Sequence, residues 1–284
     1  MDKNLIGVLH AGEMGAAVGS CLSQRGLTVL WASAGRSPAT ADRATAAGMR
    51  DVGSASEMAG QADVILSVCP PHAALEVARS VAGFRGIYVD ANAVSPATTR
   101  EVGEIVTAGG ASYVDGGIIG APPRSPGDSR LYLSGLWAED ISHLFADTAL
   151  DAQAIGDDIG QASAVKMAYA AWTKGTAALI LAIRALAHAE GVEQTLITEW
   201  QRSQPALTSR PHAAARSAME KGWRWVAEME EIAATMAAAG LPPGFHQAAA
   251  AIYTRVPHTT TSSPTSEPSL TTVINALLAE HSPA

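Results

Sequence analysis

Near its N-terminus the chain reads Leu5-Ile6-Gly7-Val8-Leu9-His10-Ala11-Gly12-Glu13-Met14-Gly15, an apolar run that breaks into a glycine-containing turn. This order is typical of a strand, a tight turn and a helix N-terminus, whose backbone N–H groups and partial positive charge bind phosphate. Glycine lets a phosphate come close because it has no Cβ. The stretch predicts a dinucleotide-binding turn over residues 10–15, although His10 replaces the first glycine of G-x-G-x-x-G. A buried strand followed by an ordinary glycine turn is the alternative.

The composition limits the class of protein. The 284 residues suffice for two domains or one large one, and 48% hydrophobic with 16% charged residues indicates a compact chain with a substantial core. The net charge of −8, without a basic run, argues against nucleic acid or an anionic membrane as partner. We expect no membrane-spanning segment and no secretory leader. The only cysteines, Cys21 and Cys69, lack a C-x-x-C partner, so we expect no metal site and a reducing, cytoplasmic environment.

The first half of the chain alternates short apolar runs with stretches of helical period. Helices are predicted at Met14–Arg25, Ala73–Val81 and Pro96–Ala108. The predicted strands are Leu5–Leu9, Thr28–Ala32, Val64–Val68, Ile87–Asp90, Ser112–Asp115, Leu131–Ser134 and Ala152–Ile155. Strands that alternate with helices predict βαβ units and a parallel sheet covered on both faces.

After Gly160 the strand signals disappear. The predicted helices are Gln161–Glu190, Glu193–Gln204, His212–Ala239, Gly244–Arg255 and Leu270–Glu280, with a Ser/Thr/Pro-rich loop at Thr259–Pro268. The first of them is apolar on nearly all sides, which predicts burial within the chain or against a second copy, and hence a homodimer. The predicted fold is an α/β Rossmann domain over residues 1–158 and an all-α domain over residues 159–284, joined by a long interdomain helix.

The residues after the second predicted strand indicate which cofactor binds. An acidic residue there would select NAD, but the chain carries Ser33, Arg36 and Ser37. A guanidinium with adjacent hydroxyls suits a 2′-phosphate, so we expect NADP(H), the alternative being that Arg36 is a solvated loop residue. Further cofactor contacts are expected at the carboxyl ends of the next strands, from Cys69, Pro70, Pro71 and Asn92.

Two features suggest where chemistry occurs. Residues Asp115-Gly116-Gly117-Ile118-Ile119-Gly120 form a strand end that we expect to open into a glycine-rich loop, whose backbone could bind substrate. Lys166 lies in the apolar helix, where burial would lower its pKa and suit it to proton transfer at a carbonyl. Tyr169 and Thr173 share its helical face. A lysine that reaches solvent or pairs with a carboxylate is the alternative.

The order of the Gly-Glu-Met-Gly turn, the Asp115–Gly120 segment and the spacing from Gly160 to Lys166 resembles the β-hydroxyacid dehydrogenase and 6-phosphogluconate dehydrogenase superfamily. It looks in particular like a branch with a short helical C-terminal domain of unknown function. The resemblance implies a Rossmann and a helical domain, a dimer and an active site in the interdomain cleft. It also implies Lys166 as general acid/base, Asp115–Gly120 as substrate loop, and Gly12, Met14 and Gly15 as cofactor turn.

The chain departs from that pattern at three places. Ile119 stands where the superfamily has a serine, Ala170 replaces an asparagine, and Glu230-Glu231 replaces a lysine–aspartate pair. A less polar carbonyl compound is therefore expected as substrate rather than a small hydroxy acid. An imine reductase of the same architecture is an alternative, although those enzymes carry aspartate or tyrosine where this chain has Lys166. A non-catalytic dinucleotide-binding protein is a further alternative.

Overall fold

The computed structural model describes residues 5–259 and 269–279. The chain divides into two compact units, Met1–Met167 and Ala168–Ala284. This division falls inside a helix, nine residues beyond the expected boundary at 158/159. Residues 260–268 of the predicted loop and Glu280 of the predicted last helix lie outside the described residues.

The first unit is built on one sheet with the strand order β3-β2-β1-β4-β5-β6-β7-β8. Its strands are β1 (Leu5–Leu9), β2 (Thr28–Trp31), β3 (Arg50–Asp51), β4 (Val64–Ser67), β5 (Ile87–Asp90), β6 (Ser112–Gly120), β7 (Ser129–Ser134) and β8 (Leu150–Gly156). Its helices are α1 (Glu13–Gln24), α2 (Pro38–Ala46), α3 (Ala55–Ala59), α4 (Ala74–Arg79), α5 (Pro96–Ala108), α6 (Ala138–His143) and the start of α7 (Gln161–Ala189).

Both faces of the central strands are buried. In β4, Val64 and Leu66 pack into one apolar cluster with Leu22 of α1, while Ile65 packs into the opposite cluster with Val102 of α5. Alternate strand residues face opposite sides of a sheet, so a fully apolar strand needs a helix on each side. This doubly covered sheet is the predicted Rossmann architecture.

The far half of the sheet differs from the prediction. The strand predicted to end at Asp115 continues to Gly120, and residues 115–120 pair antiparallel with β7. The sheet is therefore mixed, and the expected glycine-rich loop is a buried strand. Glycine is required in this strand because the neighbouring backbone comes too close for a side chain: a Cβ on Gly116 would lie 2.9 Å from the Asp90 carbonyl oxygen. Among the short elements, β3, α2, α3 and α6 were not predicted.

The second unit is helical. It contains the remainder of α7, α8 (Glu193–Ser203), α9 (Arg210–Ala238), α10 (Gly244–Arg255) and α11 (Leu270–Leu278). Ion pairs lie within it: Lys174 with Glu228, and Arg184 with Glu193. The Lys174 ammonium also stands 5.5 Å from the centroid of Trp225, whose ring meets Tyr253 edge-on at 5.1 Å. These contacts connect α7 to α8, α9 and α10.

Helix α7 is long and apolar enough to cross a membrane by length and composition alone, contrary to the expectation that no segment is. Of its most apolar window, 44% is buried inside the protein, and the core helix of a soluble protein meets the same criteria. Its cationic side chains Lys174 and Arg184 are paired with carboxylates of the same unit. The apolar character of α7 is thus used at least in part for packing.

Candidate active site

The turn after β1 has the geometry of a phosphate cradle. Gly12 is the N-cap of α1, and no side chain caps that helix end. The first N–H groups of a helix have no partner within it, so those of Glu13, Met14 and Gly15 are available to a ligand. A Cβ on Gly15 would overlap the carbonyl oxygen of His10, whereas a Cβ on Gly12 would meet no protein atom within 4 Å. Packing thus requires glycine at position 15, and the open space before Gly12 fits a dinucleotide phosphate.

The loop after β2 carries the predicted adenosine contacts. Ser37 caps α2 by accepting a hydrogen bond from the Thr40 N–H, and Arg36 just before it is exposed. The electrostatic field of Arg36 acts on both His10 and Cys69, which follow β1 and β4. The structure therefore brings these three predicted cofactor residues to one place at the carboxyl edge of the sheet.

Two side chains at this edge were not predicted from the sequence. Arg43 of α2 donates a hydrogen bond to Thr40 Oγ1 at 3.1 Å and, through Nε, another to the Ala11 carbonyl oxygen at 3.5 Å. The second bond connects α2 to the glycine turn. Asp51, at the end of β3, accepts hydrogen bonds from the N–H groups of Ser33 and Gly53. These bonds lower the pKa of the Asp51 carboxyl. Neither was predicted because α2 and β3 are short and carry no strong periodic pattern.

Asn92 supports the site from within the protein. It is buried; its Oδ1 accepts from the Cys69 N–H at 2.6 Å and its Nδ2 donates to Ser67 Oγ at 3.1 Å. A contact between Asn92 and the cofactor stays a prediction. Asn92 holds the end of β4 to the end of β5 and so positions the Cys69-Pro70-Pro71 segment. Burial raises the pKa of the half-buried Cys69 thiol to about 12.

Asp115 is completely buried and acts within the protein. Its two carboxylate oxygens accept five hydrogen bonds: from the hydroxyls of Thr99, Ser134 and Ser163, and from the N–H groups of Gly160 and Ser163. A buried carboxylate is tolerated when its oxygens are bonded in this way. The expected substrate contact by Asp115 is therefore replaced by a structural role: it anchors the N-terminus of α7.

Lys166 lies one turn into that anchored helix. A Cβ on Gly117 would stand 2.9 Å from the Lys166 Cβ and 2.8 Å from the Ala162 carbonyl oxygen, so α7 packs directly on the backbone of β6. The lysine is half-buried. Gly117 thus contributes to the site by permitting close approach of the helix.

The other predicted substrate residues, and Tyr169, which was predicted to be catalytic together with Lys166, are divided between the units. Ile118 and Ile119 are buried side chains of β6, 7% and 3% exposed, so the expectation that they line a substrate loop is corrected by their position in the sheet. Tyr169 and Thr173 belong to the second unit, where Tyr169 is 48% exposed and the Thr173 hydroxyl bonds the Tyr169 carbonyl.

The acidic residues of α9 differ in burial. Glu228 is 5% exposed and pairs with Lys174, whereas Glu230 of the predicted Glu230-Glu231 pair is exposed. Within the described residues, no group of three or more His, Cys, Asp or Glu side chains is arranged to hold a metal ion.

Comparison with known proteins agrees with this architecture. Residues 5–127 match the NAD binding domain of 6-phosphogluconate dehydrogenase, and residues 187–256 match a domain of unknown function (DUF1932). A solved structure titled as conserved protein MTH1747, of unknown function and structurally similar to 3-hydroxyacid dehydrogenases, is 28% identical with a TM-score of 0.67. That likeness covers 89% of this chain and 96% of the other.

Two further structures share the fold at lower identity. A 3-hydroxyisobutyrate dehydrogenase of Mycobacterium tuberculosis with L-serine has a TM-score of 0.71 at 18% identity, over 97% of this chain and 99% of that one. An imine reductase of Myxococcus stipitatus in complex with NADP+ has a TM-score of 0.57 at 21% identity, over 88% and 93%. These two structures share the fold, and residues 5–127 of the first unit are similar to the NAD binding domain of 6-phosphogluconate dehydrogenase.

The buried carboxyl of Asp90, which pairs with Asp115 across β5 and β6, makes stability depend on pH. Burial, reinforced by the charge of Asp115, raises the pKa of Asp90 to about 7. Its Oδ1 accepts from the Asn92 N–H, but Oδ2 has no hydrogen-bond partner within residues 5–259 and 269–279. Because the folded chain holds this proton and the unfolded chain releases it near pH 4, wild-type stability falls as pH rises from about 4 to about 7.

Asp90→Asn removes this titration. Urea unfolding gives the free energy of unfolding of the variant and of the wild type at each pH. The difference, variant minus wild type, should increase by roughly 2–3 kcal/mol from pH 5 to pH 8. Asp42→Asn, at an exposed position, is the control for losing a surface carboxylate. A difference that is constant across this range would contradict the assignment.

Proposed function

For this chain of the 6-phosphogluconate dehydrogenase-like superfamily, we propose an NADP(H)-dependent oxidoreductase that interconverts a carbonyl and a hydroxyl group, with Lys166 as general acid/base. The cofactor supplies or accepts the hydride. The protein binds and orients both reactants and moves the proton that accompanies the hydride.

The observation that supports this proposal most is the register of the sheet. Leu9, Ser67, Asp90 and Asp115 pair in sequence across β1, β4, β5 and β6, so they lie at one level. The turn at Gly12 follows β1, and Gly117, which α7 contacts through Lys166, lies in β6. Both lie just beyond that level and are separated by three strand spacings. Three strand spacings are about 14 Å, a distance that a bound dinucleotide can span. One ligand lying along this edge can thus have its pyrophosphate at α1 and its reactive ring toward Lys166.

Each residue in this proposal has a physical task. The first N–H groups of α1 bind the pyrophosphate, and Arg36 with Ser33 and Ser37 binds the 2′-phosphate. The Lys166 ammonium donates a proton to the carbonyl oxygen during reduction and the amine accepts one in the reverse direction. Because Ile119 and Ala170 stand where the superfamily has a serine and an asparagine, these positions supply no polar side chain, and a weakly polar carbonyl compound is the proposed substrate class.

Gly12→Asp tests the cofactor site. Aspartate is a favourable N-cap and the position has free space and an extended backbone, so stability should be unchanged or higher by up to about 1 kcal/mol. The added carboxylate occupies and repels the pyrophosphate, so NADPH affinity should fall at least about 100-fold by calorimetric titration. Gly12→Asn, a neutral cap of equal size, separates bulk from charge. A stable Gly12→Asp protein that binds NADPH like the wild type would contradict the site.

Lys166→Met tests the catalytic assignment. Without the ammonium, kcat/KM for carbonyl reduction should fall about 10²–10⁴-fold while the Kd of NADPH stays within about twofold, since the phosphate cradle is untouched. NADPH oxidation is followed with keto acids, semialdehydes and cyclic imines. Lys221→Met, at an exposed site in α9, is the control. Carbonyl reduction at the wild-type rate by Lys166→Met would refute the assigned role.

Imine reduction is the second candidate function, favoured by the fold likeness to an imine reductase with NADP+. The same substrate panel distinguishes the two: turnover of cyclic imines but not of carbonyl compounds supports imine reduction. NADPH binding without turnover of any member supports a non-catalytic role.

We further propose that the protein is a homodimer through α7. On the second-unit part of this helix, exposed apolar side chains recur at alternating spacings of three and four: Tyr169, Trp172, Leu179 and Leu186, with Thr176 and Ile183 half-buried between them. This is a heptad stripe, the pattern by which two helices pack. Trp172 is 66% exposed and Leu186 61%, so the described chain leaves the stripe largely uncovered.

Trp172→Glu should convert a dimer to a monomer in light scattering at micromolar concentration, because it places a charge at the most exposed side chain of the stripe. Leu241→Glu, 53% exposed and outside α7, should leave the mass unchanged. A wild-type chain that is monomeric under these conditions would contradict the dimer.

A further inference from the structure

His10 has a backbone conformation that favours glycine. Its φ is +70°, in the left-handed region, and its carbonyl oxygen accepts a hydrogen bond from the Gly12 N–H at 2.8 Å. Within the described chain, Asp147 is the other non-glycine residue with positive φ. A Cβ makes this conformation strained, and the dinucleotide fingerprint has glycine here. A strained residue at a ligand turn is a reason to look for a role of its side chain.

The charge of the Arg36 guanidinium acts on the His10 imidazole. Its ring is partly buried, and its Nδ1 is enclosed without a hydrogen-bond partner in the described chain. Burial first, and the Arg36 guanidinium second, lower its pKa to about 4. Two basic groups therefore converge here in the unliganded protein, and the imidazole stays neutral at pH 7. An anion bound between them would remove this repulsion.

The sheet register places the pair on the adenosine side of the turn. Val8 pairs with Trp31 in the parallel β1–β2 ladder, so His10 lies level with Ser33, the start of the loop that carries Arg36. Neighbouring strands are about 4.8 Å apart. In a doubly wound sheet, the ribose of a bound dinucleotide lies beyond the end of β2.

We infer that His10 is a specificity-determining residue that, together with Arg36, binds the 2′-phosphate of NADP(H) and takes up a proton when it does so. This inference rests on the proposed dinucleotide function. Other ionisable side chains on the elements around this edge are Glu13 of α1, Arg43 of α2, Asp51 of β3, and Cys69 and His72 after β4. Of the charged groups, Arg36 is the one that acts on the pKa of His10.

Calorimetric titration of the full chain tests the inference. The probes are NADPH against NADH, and adenosine 2′,5′-bisphosphate against AMP, each at pH 6 and pH 8. Because His10→Asn is neutral and tolerates positive φ, it should lower the affinity for both 2′-phosphorylated probes about tenfold at pH 6, the size of one charge-assisted hydrogen bond. NADH and AMP should bind unchanged. The loss should shrink at pH 8, because proton uptake by the wild-type imidazole on binding becomes less favourable as pH rises; comparing variant with wild type cancels the titration of the phosphate itself.

Strain relief provides the matched control. His10→Gly and Asp147→Gly each remove a strained Cβ, so both should raise or maintain the melting temperature, but only His10→Gly should lose the preference for 2′-phosphate. Equal loss of NADPH and NADH affinity in the His10 variants, no loss, or a loss identical at pH 6 and pH 8 would overturn the inference while leaving the dinucleotide site standing. A wild-type chain that binds neither dinucleotide would overturn both.

Discussion

The architecture of the first unit depends on one buried charge, the carboxylate of Asp115. Removing a carboxylate from water costs several kcal/mol unless its oxygens are hydrogen-bonded. Here the donors come from α5, β7 and the first turn of α7, so satisfying Asp115 brings three elements together at the end of β6. The negative charge also lies at a helix N-terminus, where the backbone dipoles stabilise it. Because α7 is fixed at its start, Lys166 one turn later has a defined place against Gly117.

The same constraint explains the neighbouring carboxyl. A buried carboxyl close to another negative charge ionises less readily, whereas hydrogen bonds from donors favour the ionised form. Asp115 receives five hydrogen bonds, whereas Asp90 receives one from the Asn92 N–H and keeps its proton up to about pH 7. The carboxyl edge of the sheet therefore holds its charge away from the cradle at Gly12, where an anionic cofactor would bind.

The long helix α7 combines requirements that would otherwise conflict. In the first unit it must approach a strand backbone, which requires glycine at position 117. In the second it carries Lys174 and Arg184, whose charges are compensated by Glu228 and Glu193. Its remaining apolar stripe is exposed in the chain, which is the physical basis for proposing a second copy against it.

Elements whose signal lies within one segment could be predicted from the sequence. The apolar run of β1, the Ser95-Pro96 start of α5 and the 3.6-residue period of α7 fixed the doubly covered sheet and the helical second unit, because each pattern lies within one segment. The conformation of Asp115–Gly120 depends on packing with distant parts of the chain. Its three glycines suggested a loop, but the segment is a strand in which Gly116 and Gly117 leave room for the close approach of β5 and α7. The tertiary structure also decided that Asn92 and Asp115 serve the protein's own backbone, and that Arg43 and Asp51 reach the cofactor edge. Most of these hydrogen-bond partners lie 16 to 48 residues away in the chain, a separation that no local pattern encodes.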